Sequence, residues 1–303
     1  MFALAHLSDP HLAEWSVDRP WTLANKRLSG WLSWRLNRSR IHLARVLDLM
    51  LSDMADQSID HVAVTGDLVN ISLPAEFENA ARWLRRLGPA DKVTVIPGNH
   101  DAYVSMPQSE GVGRWRDYMT DLAWERMDGA AAADSFPFVR RVGPLALVGL
   151  STAVPMPLFI AAGKLGATQL AALRSTLLQL KESGAFRVVL IHHPPFPSVY
   201  KRKALLDAQE LVNVVRDAGA ELILHGHTHA AGLGRVGETP VIGVPSASAV
   251  RSGHNEAAAY NLYRISRVER DWKVAVEIRG LSGDQGRFAP SGGFELTIPA
   301  LRH

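Results

Sequence analysis

Residues 2–11 read FALAHLSDPH, which joins an apolar run typical of a buried strand directly to a carboxylate and an imidazole. Asp9 and His11 are two residues apart, so on an extended segment their side chains point to the same side and can reach one ion. Four more clusters follow the same plan at the ends of apolar runs, and they are Gly66-Asp67, Gly98-Asn99-His100-Asp101, His192-His193-Pro194-Pro195 and Gly226-His227-Thr228-His229. Five such clusters predict one site assembled from distant parts of the chain.

Short apolar runs alternate with longer amphipathic runs, which is typical of an α/β protein. The predicted strands are 2–7, 61–65, 92–96, 145–150, 187–191, 221–224, 239–244, 260–268, 272–278 and 294–298, and the predicted helices are 39–57, 74–87, 168–181 and 207–218, with Ser39 as the cap of the first. Every cluster then lies just past a strand, where ligands bind in open α/β sheets. The absence of repeats and linkers predicts a single domain over residues 1–303.

Composition limits the classes of protein and of site. The chain has 303 residues and no cysteine, which excludes disulfides, thiolate metal sites and a cysteine nucleophile, and fits a reducing cytoplasm. The apolar start is too short for a signal sequence, and no run reaches the roughly 18 apolar residues of a membrane span. A net charge of +3 is too small to favour a nucleic-acid partner. We therefore expect a cytoplasmic protein.

The donor types indicate the kind of metal. Carboxylate, amide and imidazole donors without a thiolate suit Mn, Fe, Zn or Co. Each cluster alone also has an ordinary structural interpretation, since Asp67 could cap a helix and Asn99 could be a plain turn residue. The pair His227 and His229, two residues apart after a glycine, is the clearest indication of a metal site.

Together the five motifs resemble those of the calcineurin-like metallophosphoesterases. The family pattern is Asp-x-His, Gly-Asp, Gly-Asn-His-Asp/Glu, His and Gly-His-x-His, and it matches this sequence from Asp9 to His229. The resemblance implies a β-sandwich of two mixed sheets flanked by helices, in four αββα layers. It also implies two divalent or trivalent metal ions.

The resemblance assigns roles to particular residues. One metal ion would be held by Asp9, His11 and His229, the other by Asn99, His192 and His227, with Asp67 bridging them. His100 would be catalytic, stabilising charge in the transition state or protonating the leaving oxygen. Asp101 would orient the His100 imidazole.

The implied activity is that of a metal-dependent phosphodiesterase. A hydroxide that bridges the metal ions would attack a small phosphodiester, such as a cyclic nucleotide or a glycerophosphodiester. One alternative is a membrane-surface hydrolase of a phospholipid or a UDP-diacylglucosamine-type lipid. A weaker alternative is a non-enzymatic metal-binding scaffold, which would have no need of His100.

The substrate must be selected by segments between the motifs. An insert at about 14–40 carries Trp15, Trp21, Trp31 and Trp34 among Lys26, Arg27, Arg35, Arg38 and Arg40. It could be a cap helix that buries its tryptophans, or an amphipathic surface that meets the inner membrane face. The apolar loop 155–160 could be a lid, a subunit contact or a core-packed loop.

The remaining histidines have weaker claims to a role. His193, beside His192, is expected to be structural or to support the ligands, and His225 could support the neighbouring Gly-His-x-His turn. No role follows from spacing for the others, which are His6, His42, His61, His254 and His303.

Overall fold

Two mixed six-stranded sheets form the centre of the computed structural model, which describes residues 1–13, 17, 20–120, 136–197, 201–251, 256–283 and 286–299. The strands are β1 (Phe2–Leu7), β2 (His61–Val64), β3 (Val93–Val95), β4 (Phe138–Val142), β5 (Leu145–Gly149), β6 (Phe186–Ile191), β7 (Leu222–His225), β8 (Gly232–Val236), β9 (Thr239–Gly243), β10 (Ala259–Val268), β11 (Asp271–Ser282) and β12 (Arg287–Ile298). One sheet has the order β12-β11-β10-β1-β2-β3, and the other β4-β5-β6-β7-β9-β8.

Helices cover the outer faces of both sheets. The described α-helices are α1 (Arg27–Leu36), α2 (Ala44–Ala55), α3 (Pro74–Leu87), α4 (Ala167–Glu182) and α5 (Ala208–Ala218). Buried residues of α2 and α3 join the core on the first sheet, and those of α4 and α5 join the core on the second. Within the described ranges, no helix has the length and apolar character needed to cross a bilayer.

Strand β1 shows how the layers arise from the sequence. Leu4 packs between the two sheets, whereas Ala3, Ala5 and Leu7 pack on the helix side. Successive side chains of a strand point to opposite faces, so an apolar run without alternation is buried on both sides. The predicted αββα sandwich of two mixed sheets is therefore confirmed.

Two parts of the secondary-structure prediction were wrong. The helix predicted from Ser39 begins at Ala44, because residues Arg38–Arg40 form a 3-10 turn and the Ser39 hydroxyl donates to the Arg35 carbonyl, 3.4 Å away. Strands β4 and β8 lie at sheet edges and were not predicted. Strand β4 was missed because it contains Arg140, a charged residue that interrupts the apolar pattern. Its guanidinium is nevertheless buried and donates to backbone carbonyls.

A buried ion pair fixes α4 and α5 to β6. The Arg187 guanidinium is fully buried, contacts both Glu221 carboxylate oxygens at 2.9 Å, and donates to the carbonyls of Leu177 and Ala218. Its donors therefore join a strand to both helices. Glu221 is itself buried and depends on this partner.

We expect Arg187→Leu to lower the free energy of unfolding by about 3–5 kcal/mol, because it leaves the Glu221 carboxylate buried without its partner. The matched control is Arg174→Leu, which removes an ion pair with Asp217 whose side chains are 52% and 54% exposed. An exposed pair of this kind contributes at most about 1 kcal/mol. Urea unfolding measures both variants, and equal stability of the two would contradict this role of Arg187.

Candidate metal centre

All five predicted motifs begin where a strand ends, after β1, β2, β3, β6 and β7. The first three strands are parallel neighbours in one sheet, and β6 and β7 are parallel neighbours in the other. Hydrogen bonds join the motifs across the sheets: His227 donates its backbone N–H to Asp9 Oδ2 at 3.0 Å, and His192 Nδ1 donates to the Thr65 carbonyl at 2.6 Å. Distant parts of the chain therefore meet in one place.

Backbone strain is concentrated in these loops. Left-handed φ angles occur at Asp9 (53°), His11 (39°), Asp67 (57°), His227 (66°) and His229 (54°). Such a conformation costs a non-glycine residue about 1–3 kcal/mol and persists only where the surroundings enforce it. Five of the seven predicted ligands adopt a left-handed conformation. The local cost indicates that the fold enforces the orientation of these side chains.

The first group of donors is Asp9, His11 and His229. His229 Nε2 lies 3.1 Å from Asp9 Oδ1 and 3.2 Å from His11 Nε2. His11 Nε2 is 3.8 Å from Asp9 Oδ1. These three side chains thus direct one ligand atom each toward a common point.

The second group contains Asn99, His192 and His227. His192 Nε2 lies 3.2 Å from Asn99 Oδ1, and His227 offers a ring nitrogen within 4.8 Å of His192 and Asp67 donor atoms. Asp67 Oδ2 is 3.4 Å from His192 Nε2 and 3.9 Å from His11 Nε2. Asp67 therefore belongs to both groups, which is the placement expected of a bridging ligand.

Hydrogen bonds show that these groups suit metal ions. His11 Nδ1 lies 3.3 Å from the Val69 carbonyl and His192 Nδ1 lies 2.6 Å from the Thr65 carbonyl, so each ring carries its proton on Nδ1. Each Nε2 then faces carboxylate or amide oxygens. A histidine that donates its second nitrogen to a carbonyl is the usual form of a metal ligand. The donor set fits two metal ions.

Electrostatics at the site favour a bound cation. Burial alone would raise the pKa of Asp9, but the charge and hydrogen bond of His229 outweigh it and hold that pKa well below its usual value. Burial likewise lowers the pKa of His192, but the Asp67 and Asp9 carboxylates outweigh it and raise that pKa to about 9. The buried carboxylates of Asp9 and Asp67 therefore stay ionised, and their negative charge stabilises cations at the site.

Gly98 is required by the closeness of the loops. A Cβ atom at this position would collide with Asp67 Oδ1 and with the His192 ring. Because Asp67 and His192 must lie within ligand distance of one ion, no larger residue fits between them. This explains the glycine that precedes Asn99 in the third motif.

The role predicted for Asp101 was wrong. Its carboxylate does not orient His100, because Oδ1 accepts the N–H groups of Leu68 and Val69 at 3.0 Å and Oδ2 accepts those of Asp67 and Gly98 at 2.8 Å. Asp101 is buried and fixes the backbone turn that carries Asp67. Its contribution is to position a predicted metal ligand.

His100 is oriented by other groups. Its Nδ1 donates to the Asn70 carbonyl at 2.5 Å, and its ring stacks on Tyr103 with centroids 5.9 Å apart. The backbone N–H of His100 donates to Asp67 Oδ1 at 2.7 Å. These contacts hold the His100 ring in place, with its centroid 5.0 Å from that of the His11 ring.

His42 lies at the site although its spacing gave no sign of a role. Its ring centroid is 4.7 Å from that of His11, and it offers a ring nitrogen within 4.8 Å of donor atoms of His11 and His229. The Ser248 hydroxyl, 2.8 Å from His42 Nδ1, and the stacked Trp34 ring hold it there. Only the tertiary fold brings this histidine to the site.

His193 and His225 are held by hydrogen bonds to groups other than the predicted metal ligands. His193 Nδ1 lies 2.7 Å from the Thr152 hydroxyl and its Nε2 3.1 Å from the Ala161 carbonyl, which occupies both nitrogens, as expected of a structural residue. His225 Nδ1 lies 2.9 Å from the Gly226 carbonyl. His193 thus connects the fourth motif to the loop around Ala161.

A cleft of about 230 Å³ opens onto the site. Its lining includes Asn99 and His100 on one side, and Trp34 and Arg38 from the insert on the other. The apolar loop 154–161 forms the third wall. Trp34 is 8% exposed and Trp21 is 70% exposed, while Trp15 lies outside the described residues. Within the described part of the insert, α1 therefore buries Trp34 beside the cleft, whereas Trp21 stays exposed.

Comparison with known proteins identifies the family. Residues 2–231 match the family model described as calcineurin-like phosphoesterase. The chain belongs to the calcineurin-like phosphoesterase family. It is accordingly a metal-dependent phosphoesterase, a family that uses a binuclear metal centre, and the His and Asp groups above are the candidates for that centre.

Solved structures share the fold of this phosphoesterase at low sequence identity. A dimetal phosphatase from Danio rerio has a TM-score of 0.57 and 13% identity over 99% of both chains. A protein assigned as a 5'-nucleotidase from Staphylococcus aureus has a TM-score of 0.53 and 13% identity over 100% of this chain and 55% of its own. No curated protein sequence matches this phosphoesterase closely enough to count as a relative.

We expect the purified phosphoesterase to hold about two Mn²⁺ ions per chain after loading and dialysis. Asp67→Asn should hold fewer than one, because it removes the charge shared by both groups while tolerating the left-handed backbone. Asp48→Asn is the control, since Asp48 is an exposed carboxylate paired with Arg86. Elemental analysis gives the metal content, and an unchanged content in Asp67→Asn would refute the shared position of Asp67.

Proposed function

We propose that this phosphoesterase hydrolyses a small phosphodiester. The observation that carries the proposal is the position of His100, which lines the cleft while its backbone N–H donates to the shared ligand Asp67. A site that only holds metal ions needs no further imidazole aimed at the ligand space. The cleft of about 230 Å³ also suits a small group next to phosphorus.

Within this proposal the donor groups hold two metal ions. Asp9, His11 and His229 would hold one, and Asn99, His192 and His227 the other, with Asp67 between them. Bound metal ions supply a water of lowered pKa and neutralise charge on phosphoryl oxygens. The oxygen and imidazole donors support Mn, Fe, Zn or Co in both positions.

His100 acts on the substrate in this proposal. Burial first, and then the charge of Arg38, lower the pKa of His100 to about 4, so the imidazole is neutral in the free protein. A phosphate anion in the cleft opposes both effects, because opposite charge favours the protonated ring. A proton on Nε2 would then serve the leaving oxygen, while Nδ1 stays bonded to Asn70.

We expect Mn²⁺-dependent turnover of bis-p-nitrophenyl phosphate by the wild-type protein. His100→Ala should lower kcat by about 10²–10⁴-fold, the usual contribution of a general acid, with unchanged metal content. Asp48→Asn is again the control. No metal-dependent turnover of any diester or monoester would instead support the non-enzymatic scaffold. Turnover of monoesters alone would exclude the preference for diesters.

A second candidate function is hydrolysis of a lipid phosphoester at a membrane surface. Leu28, Leu32 and Leu36 repeat every fourth residue along α1, and they are 48%, 44% and 64% exposed. The neighbouring loop exposes Phe159 by 77%, and Lys26 Nζ ties this loop to the start of α1 through the Met156 carbonyl at 2.5 Å. Apolar residues flanked by basic ones suit the headgroup boundary of the inner membrane face.

For this candidate, the wild-type protein should float with vesicles of phosphatidylethanolamine and phosphatidylglycerol. Leu32→Glu combined with Phe159→Glu should abolish flotation, because charge on the apolar face opposes burial in lipid. Val268→Glu is the matched control, since Val268 is 48% exposed on the distant β10 strand. Absence of wild-type flotation, or equal flotation of all variants, would remove the lipid alternative.

A further inference from the structure

Arg38 is the cationic side chain that reaches the centre of the site. It lies in the 3-10 turn that follows α1 and is partly buried. Its Nη1 is 3.1 Å from His100 Nε2, and its Nη2 is 3.0 Å from His11 Nε2. The guanidinium therefore joins a predicted metal ligand to the predicted catalytic histidine.

The contacts of Arg38 leave much of its donor capacity unused. A guanidinium has five N–H donors. Within the described part of the chain, its hydrogen bonds go to the rings of His11 and His100, and no carboxylate lies within the 4.0 Å of an ion pair. By contrast Arg187, which is fully buried, donates to both carboxylate oxygens of Glu221. The Arg38 guanidinium thus has no direct ion pair among the described residues, and the charges of Asp67 and Asp9 act on it from beyond that distance.

Arg38 contacts the ring nitrogen of His11 that is predicted to bind a metal ion. Since His11 Nδ1 bonds to the Val69 carbonyl, its Nε2 is the atom that accepts from Arg38, and the same lone pair faces Asp9 and Asp67. A metal ion at the first group would take that lone pair. The Nη2 donors of Arg38 then lose this acceptor, while Arg38 still lines the cleft. A phosphate oxygen is an acceptor that guanidinium binds in a planar, two-point arrangement.

We propose that Arg38 binds a non-bridging oxygen of the substrate phosphate, so that the insert supplies a recognition residue to the metal centre. This proposal deepens the proposed function and rests on it. Arg38 thereby makes the insert part of the substrate site. It supplies a guanidinium group, which none of the five motifs contains.

The test measures binding of inorganic phosphate to the Mn²⁺-loaded protein by calorimetry. Arg38→Ala should raise the Kd for phosphate by about 10–100-fold, the loss expected for a hydrogen-bonded charged partner. Arg38→Lys should recover part of the loss, because it restores the charge without the two-point geometry. Arg40→Ala, in the same turn but exposed, should bind phosphate as the wild type does. The Mn²⁺ content should be equal in all four proteins.

Kinetics on bis-p-nitrophenyl phosphate add a second readout. A raised KM with unchanged kcat in Arg38→Ala indicates lost binding of the substrate. Unchanged phosphate affinity in Arg38→Ala would overturn the proposal, and so would tighter Mn²⁺ binding without a phosphate effect, which would show that Arg38 only fills the metal site. Phosphate binding that depends on Arg38, in a protein that turns over no ester, would preserve this inference and refute the proposed function.

Discussion

The carboxylate of Asp67 is the constraint on which the rest of the site depends. It is buried, its Oδ1 accepts the His100 N–H at 2.7 Å, and its Oδ2 faces His192 at 3.4 Å and His11 at 3.9 Å. A second buried carboxylate, Asp9, belongs to the same cluster. Two such charges away from water are unfavourable without compensating positive charge. The surrounding structure therefore holds these carboxylates in positions that suit bound cations.

The structure around these carboxylates is built from backbone rather than from long side chains. Asp101 holds the turn at Asp67 through four backbone N–H groups, and Gly98 leaves room for the neighbouring loop. The left-handed φ angles at the ligands are the local cost of this arrangement. The two sheets and their apolar cores offset that cost, because they fix the strand ends from which the loops emerge.

Sequence reasoning succeeded where chemistry and local pattern coincide. Continuous apolar runs predicted β1, β2 and β6, and glycine with polar residues after each run indicated the ligand loops. It failed for Arg38 and His42, since neither follows a strand and neither has ligand spacing. Both reach the site only through the path that the insert takes over the sheet, which depends on tertiary packing. Asp101 was found, but its hydrogen-bond partners are backbone groups that no residue pattern encodes.

The most direct test of this account is a crystal structure of the protein grown with Mn²⁺, with anomalous scattering used to locate the ions. Two anomalous peaks are expected, one beside Asp9, His11 and His229, the other beside Asn99, His192 and His227, both in contact with the Asp67 carboxylate. A single peak, or two peaks without Asp67 between them, would contradict a binuclear centre bridged by Asp67.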